Sequence, residues 1–280
     1  MPAFLVYFGE NSMSKRKSEK PVSGTKEWAK HNENLISGCS NDCRYCYAKC
    51  IAIRFKRKSP DNWGTEIINP DALAVGFRKR KGRFMFPTTY DIAPEHLDVC
   101  MTFLEKILKP GNEVLVVSKP HLDCIRVICT RFYDYRRQIM FRFTIGSTDN
   151  NALQFWDQNA PAFDERLESL SYACWAGYAT SVSCEPMLDN NADELIRRLL
   201  PYVTDSIWFG KMNRSNPILK MNGHGDQETI QRAMYLRESL SDEYVLDLYG
   251  RHKNNPRIKW KDSLKKVVGI EIPVVAGLDI

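Results

Sequence analysis

No apolar stretch approaches the ~20 residues that cross a bilayer, which excludes a helical membrane span. Residues 1–12 lack both the basic start and the long apolar run of a signal peptide, so the expectation is a cytoplasmic protein. There is no Gly-rich loop of the P-loop or dinucleotide type and no Ser-His-Asp ordering, so nucleotide-fold and serine-hydrolase motifs are missing. The five histidines, His31, His96, His121, His224 and His252, are scattered without metal-ligand spacing. Neither short internal repeats nor low-complexity segments occur. Charge of one sign is not in large excess: 40 Lys and Arg face 34 Asp and Glu, a net of +6.

What is present is an ordinary globular composition, 43% hydrophobic and 26% charged, over 280 residues. That length suits one large domain or two small ones. Nine cysteines are an odd number and, in a reducing compartment, read as metal ligands, catalytic groups or buried small hydrophobes rather than disulfides. The charge is uneven. Residues 49–83 carry ten basic and three acidic side chains, a net of +7, and residues 251–266 carry a net of +6. The rest of the chain is therefore mildly acidic.

Short apolar runs alternate with amphipathic ones. Residues 34–37, 83–86, 113–118, 139–145, 178–184 and 206–210 read as strands. Helical patterns fall near 45–57, 94–108, 120–132, 162–176, 191–201 and 226–240. The helix over 94–108 is marked by Pro94 and Glu95 at its start and Pro110-Gly111 beyond its end. Strand–helix alternation repeated about six times implies parallel strands covered by helices, either a barrel or an open doubly wound sheet. In both, ligands gather at the carboxyl ends of the strands.

The strongest local signal is GCSNDCRYCYAKC at 38–50. Cys39, Cys43 and Cys46 stand in a C-x3-C-x2-C spacing, so three thiolates on one loop can reach a single metal centre. Three readings are open. One is a 4Fe–4S cluster held by three cysteines, with one iron left for a substrate. The second is a four-cysteine zinc site that recruits Cys50, although zinc sites draw their ligands as two pairs and no second C-x2-C exists here. The third is a chance grouping of buried thiols.

C-x3-C-x2-C with the aromatic Tyr45 before its last cysteine resembles the signature of the radical S-adenosylmethionine enzymes. The further sequence, over roughly 30–215, is similar to the spore photoproduct lyase-like branch with its bacterial and phage members. Tyr47 follows the third cysteine. TTYDIAPEH (88–96) stands where many relatives have Gly-Gly-Glu, Ser118-Lys119 ends the third strand, TIGST (144–148) follows the fourth, and SCEPML (183–188) ends the fifth. The resemblance implies an α/β fold, a partial (β/α)6 TIM-type barrel over 31–215. An N-terminal lead-in over 1–30 and a C-terminal helical, basic extension over 216–280 would flank it. It implies a 4Fe–4S cluster on Cys39, Cys43 and Cys46, S-adenosylmethionine on the open iron, and an external electron donor of the flavodoxin or ferredoxin type. In that superfamily reductive cleavage of S-adenosylmethionine gives a 5′-deoxyadenosyl radical that abstracts hydrogen from substrate.

On this resemblance Tyr45 and Tyr47 line the cofactor. Lys119 meets its carboxylate, Asp91 its ribose or amino group, and Thr144 and Ser147 its methionine or ribose part. Glu185 recognises cofactor or substrate, and Gly210 lets the adenine approach the backbone. Spore photoproduct lyase carries a hydrogen-donating cysteine where this chain has Thr89-Tyr90-Asp91. Tyr90 is therefore the candidate to relay a radical or stack on substrate, and Cys184, beside Glu185, is the remaining reactive-cysteine candidate. Cations mixed with aromatics at 53–58, 77–83 and 251–261, Trp260 among them, suit phosphates and bases, so a nucleic acid or nucleotide substrate is expected. A peptide or small-metabolite substrate is the alternative within the enzyme class. A non-catalytic, zinc-stabilised nucleic-acid-binding protein is the alternative outside it.

Overall fold

The computed structural model describes residues 21–212 and 215–279, so residues 1–20 of the lead-in expected over 1–30 lie outside the described residues. Among the described residues nine strands form: β1 (His31–Asn32), β2 (Ile36–Ser37), β3 (Ile67–Ile68), β4 (Phe84–Met85), β5 (Val114–Ser118), β6 (Ile139–Thr144), β7 (Ala179–Cys184), β8 (Ile207–Phe209) and β9 (Ile258–Trp260). The longer helices are α1 (Tyr47–Arg54), α2 (Pro70–Ala74), α3 (Leu97–Leu108), α4 (Leu122–Arg131), α5 (Asn150–Trp156) and α6 (Phe163–Trp175). They continue with α7 (Ala192–Leu199), α8 (Ser215–Met221), α9 (Gln227–Ser239), α10 (Asp242–His252) and α11 (Asp262–Val268). None is long and apolar enough to cross a membrane, among the described residues.

Seven strands make one sheet in the order β1-β4-β5-β6-β7-β8-β9, and every neighbouring pair is parallel. This is the partial barrel expected, with two corrections. The run 34–37 does not enter it: Ile36 and Ser37 pair antiparallel with Ile68 and Ile67 in a separate two-stranded ribbon, and His31–Asn32 is the first barrel strand. The seventh strand, β9, comes from the C-terminal extension expected to be helical, where three residues between Arg257 and Lys261 were too short a run to read.

Side chains alternate between the two faces of each strand. Phe84, Val116, Phe141, Phe143, Val182, Phe209 and their neighbours face the helices and form the main apolar core. Met85, Leu115, Trp208 and, from the chain before β1, Trp28 and Ala29 pack together in a second cluster, with Met140 and Val117 against it. This inner face also holds charge. Arg142 is fully buried, its guanidinium 4.8 Å from the Trp28 ring, and it pairs with Asp279 at 3.0 Å and bonds Ser181 at 2.8 Å. Asp279 pairs with Arg83 as well, so the C-terminal strand of chain is pinned under the sheet. Residues 21–29 are not loose: Gly24–Glu27 form a 3₁₀ turn, and Glu27, Trp28 and Ala29 are buried.

Candidate active site

A cavity of about 810 Å³ opens at the carboxyl ends of the strands, where Val117, Thr144 and Ser183 reach its floor. The cysteine loop forms one wall and the segment Pro21–Lys26 another. The loop begins at Gly38, whose φ of +102° and lack of a Cβ are both required: a Cβ would lie 2.4 Å from the Thr65 carbonyl oxygen and 2.7 Å from that of Trp63. Its next N–H, that of Cys39, donates to Trp63 O at 3.1 Å. Asp42 takes a left-handed φ of 41° and accepts from the Lys49 ammonium at 2.7 Å, a pair in which Lys49 is almost wholly buried. Cys46 caps α1, its sulfur accepting from the Lys49 N–H at 3.3 Å.

Distant helices hold the same loop. The Asn222 amide, at the end of α8, donates to the carbonyls of Arg44 and Cys46, both at 2.9 Å. Arg44 donates to Phe155 O at 2.8 Å and to Thr229 Oγ1 at 3.2 Å, and its guanidinium lies 4.5 Å from the Phe155 ring. Cys39, Cys43 and Cys46 all line the cavity and are free thiols. Burial pushes each thiol above the ordinary cysteine range. Coordination to a metal would reverse that, because a liganding thiol is deprotonated outright.

A structural zinc ion takes four ligands, and the cavity lining offers three thiols with no fourth cysteine or histidine beside them, so the donor set fits a three-cysteine cluster better than one zinc ion. Cys50 sits outside the cavity wall, its sulfur 3.5 Å from that of Met221.

Beside the cysteines stand Lys119 and Asp91, with Cys39 Sγ 3.9 Å from Asp91 Oδ2. Asp91 Oδ1 accepts the Lys119 N–H at 2.6 Å, and Oδ2 accepts the Asn41 amide at 2.9 Å and lies 3.6 Å from Lys119 Nζ. Both Asp91 oxygens therefore join the end of β5 to the cysteine loop. Burial works against the Lys119 ammonium, yet Asp91 and other negative groups around it hold its pKa well above the ordinary lysine value. Tyr45 donates to Asp157, which is locked by Arg166 at 2.9 Å in a fully buried pair. Burial alone would raise the Asp157 carboxyl, but Lys119 and Arg166 pull it below its ordinary value. The Tyr45 ring is thereby fixed on the cavity wall, with Lys119 Nζ 5.9 Å from its centroid. Tyr47 also lines the cavity and donates to Thr88 O.

Glu185 reaches the cavity and lies 3.2 Å from Lys261 Nζ. Lys261, fully buried, pairs also with Glu27 at 2.8 Å, donates to Gly24 O at 3.0 Å and stands 4.0 Å from the Trp28 ring. It ties the N-terminal wall to the ends of β7 and β9. Burial raises the Glu185 carboxyl, with Lys261 opposing.

Three expected residues, Cys184, Ser147 and Gly210, fall outside the cavity lining. Cys184 is buried with its sulfur 3.7 Å from Gly146 O, because strand alternation that turns Ser183 and Glu185 to the cavity turns Cys184 to the helices. Tyr90 does line the cavity, while its hydroxyl accepts from the Leu35 N–H at 3.4 Å and lies 4.0 Å from Cys100 Sγ, and its ring packs edge-on to Phe86. Ser147 is wholly buried, donating to Asp189 and accepting from the Asp149 N–H at 2.7 Å, which shapes the turn into α5. Gly210 makes room for protein: its missing Cβ would lie 2.9 Å from Glu185 Cγ and 3.1 Å from Lys261 Cβ. Thr144 does line the cavity, its carbonyl accepting from Arg166 at 3.1 Å. Sequence reasoning missed Lys49, Asn222, Asp157, Arg166, Glu27 and Lys261. Lys49 alone sat inside the motif.

No protein-family model matches the sequence, and no curated protein matches it either. Solved structures do. A cysteine-to-alanine variant of spore photoproduct lyase with dinucleoside spore photoproduct aligns at 15% identity and a TM-score of 0.55, over 88% of this chain and 79% of that one. A tyrosine-to-phenylalanine variant of the same enzyme aligns at 15% identity and a TM-score of 0.50, with the same coverage. SuiB of Streptococcus suis bound to S-adenosylmethionine aligns at 12% identity and 0.49, over 85% of this chain and 52% of that one. The likeness to spore photoproduct lyase is one of fold.

Proposed function

We propose that the chain is a radical S-adenosylmethionine enzyme that acts on a nucleic acid or nucleotide. The observation that carries the reading is the placement of three free thiols, Cys39 and Cys43 buried and Cys46 half-buried, on one wall of a cavity beside Lys119 and Asp91. Cys39, Cys43 and Cys46 would hold a 4Fe–4S cluster, and the cavity would take S-adenosylmethionine. When bound, the cluster supplies one electron, received from an external donor, to cleave S-adenosylmethionine reductively.

The chain's own residues do the rest. The Lys119 ammonium, kept charged by Asp91, is a fixed partner for a carboxylate at a strand end. Tyr45, immobilised through Asp157, presents a rigid ring beside it. The walls from Pro21–Lys26 and the cysteine loop restrict access of water to the floor. The substrate class is supported by the likeness to a lyase solved with a dinucleoside lesion and by the cations of 54–58 next to the cysteine loop. A base reaches such a floor only when it is flipped out or single-stranded.

Anaerobic reconstitution with iron and sulfide tests the chemistry. The expected result is a brown protein that cleaves S-adenosylmethionine when reduced. Cys39→Ala, Cys43→Ala and Cys46→Ala each lose the colour, and Cys50→Ala keeps it. A colourless protein holding zinc through Cys50 would overturn the proposal. Mass spectrometry of oligonucleotides after anaerobic turnover tests the substrate class.

A further inference from the structure

We propose that the outer face of α1 and the turn after it form a track for single-stranded nucleic acid leading to the cavity. Bases would stack on Phe55, and Arg54, Lys56 and Arg57 would meet the phosphates. The inference rests on the nucleic-acid reading above and adds the place and the residues.

Three observations carry it. Tyr47, Ile51 and Phe55 recur at every fourth position and are 46%, 42% and 65% exposed, so α1 shows solvent an apolar stripe. That stripe starts at the cavity wall, which Tyr47 lines, and runs outward for about 12 Å to Phe55. Second, the guanidinium carbons of Arg54 and Arg57 each lie 5.9 Å from the Phe55 ring centroid. Neither of these cations, nor Lys56, meets a carboxylate among the described residues. An exposed ring flanked by two unpaired guanidinium groups is a stacking platform set among phosphate partners.

The third observation is strain. Helix α1 ends in a Schellman turn: the Arg57 N–H reaches Ala52 O and the Lys56 N–H reaches Ile53 O, both at 2.9 Å. The left-handed residue of that turn is Lys56, at φ +55°, where glycine is the unstrained choice. A lysine standing there, at a cost in backbone strain and beside Phe55, points to a use for its charge. An acidic protein would also be attracted by such a face, but flanking of one flat ring by cations suits a base and its phosphates.

The test is fluorescence anisotropy of a labelled oligothymidylate with the reconstituted protein across a salt series. Phe55→Ala should weaken binding about five- to 100-fold. Arg54→Gln and Arg57→Gln should each lower the slope of log affinity against log salt by about 0.7. All three positions are exposed, and unchanged cluster absorbance and circular dichroism certify the fold. If the wild type binds and these variants match it in affinity and slope, the track is overturned while the nucleic-acid reading stands. If the wild type binds neither DNA nor RNA oligonucleotides at low salt, both fall. If the variants keep oligonucleotide affinity but lose reduction by an acidic flavodoxin-type donor, the face serves a protein and the proposal is overturned.

Discussion

The two basic segments carry similar net charge, +7 over 49–83 and +6 over 251–266, yet the fold places them in opposite surroundings. In the second segment the cations from Arg257 to Lys265 turn inward, while Arg251, Lys253 and Lys266 stay at the surface. Lys261 is buried against Glu27 and Glu185, and Lys259 donates to Asp279 O. Arg257 donates to Leu200 O and Val203 O at the end of α7, and Arg251 pairs with Asp193. Trp260 is buried too, so no base can stack on it. Within the first segment, the Lys79 ammonium donates to Gly111 O and the Arg80 backbone N–H to Asn112 Oδ1 ahead of β5, at the end of the sheet opposite the cavity. Of the two segments, among the described residues, 54–57 is the stretch that leaves cations unpaired beside the site. Net charge along a sequence thus overstates a phosphate-binding surface whenever a strand carries its lysines into the inner face of a barrel.

The largest break in that comparison comes from Lys261→Met. Removing the cation strands Glu27 and Glu185 in a buried site, with an expected loss of about 3–5 kcal/mol in denaturant unfolding. Arg57→Ala on the exposed face should change stability by no more than about 0.5 kcal/mol. Equal effects would erase the distinction between the segments. Next is Gly210→Ala. Its new methyl would fall 2.9 Å from Glu185 Cγ and push apart the Glu185–Lys261 pair, at an expected cost of about 1–3 kcal/mol.

These two positions also mark where sequence reading stopped. The cysteine loop was legible because its three cysteines, its glycine and the start of α1 lie within a dozen residues. The strand–helix alternation was legible for the same reason, since periodicity is local. Glu27, Lys261 and Asn222 were not, because each acts on residues far along the chain: Asn222 reaches Arg44 and Cys46. The miss at Cys184 was of a different kind. Placing β7 one residue at a time, with Ser183 turned in, decides that Cys184 turns out, and that register was unknown before the structure. Gly210 was read as space for a ligand, and it is space for the side chains of two protein residues.

A third expected effect has the opposite sign. Lys56→Gly relieves a left-handed lysine and should raise stability by about 1 kcal/mol. On the proposed track the same change should weaken oligonucleotide binding. A variant that melts higher and binds less separates the use of this charge from its structural cost. Higher stability with unchanged binding would leave Lys56 outside the track.

The smallest effect belongs to the rim of the inward segment. Asp193 accepts from Arg251 at 2.9 Å and His252 at 2.6 Å. Burial is the largest single influence and raises its carboxyl, but the bonds and charges of His252 and Arg251 together outweigh it, and the folded pKa lies below the ordinary value. A carboxylate with a depressed folded pKa contributes stability above its unfolded pKa of about 3.9 and loses it as pH falls through the folded value. The group is half-exposed, so screening keeps the contribution under about 1 kcal/mol. Asp193→Asn should therefore cost a few tenths of a kcal/mol in urea unfolding at neutral pH. That difference should disappear below the folded pKa, where the wild-type carboxyl is protonated as well. A deficit that persists in acid would mean that Asp193 acts through its place at the first turn of α7 rather than through its charge. The pairing of Arg251 would then be incidental to stability, and the contrast between the two segments would rest on Lys261 and Lys259 alone.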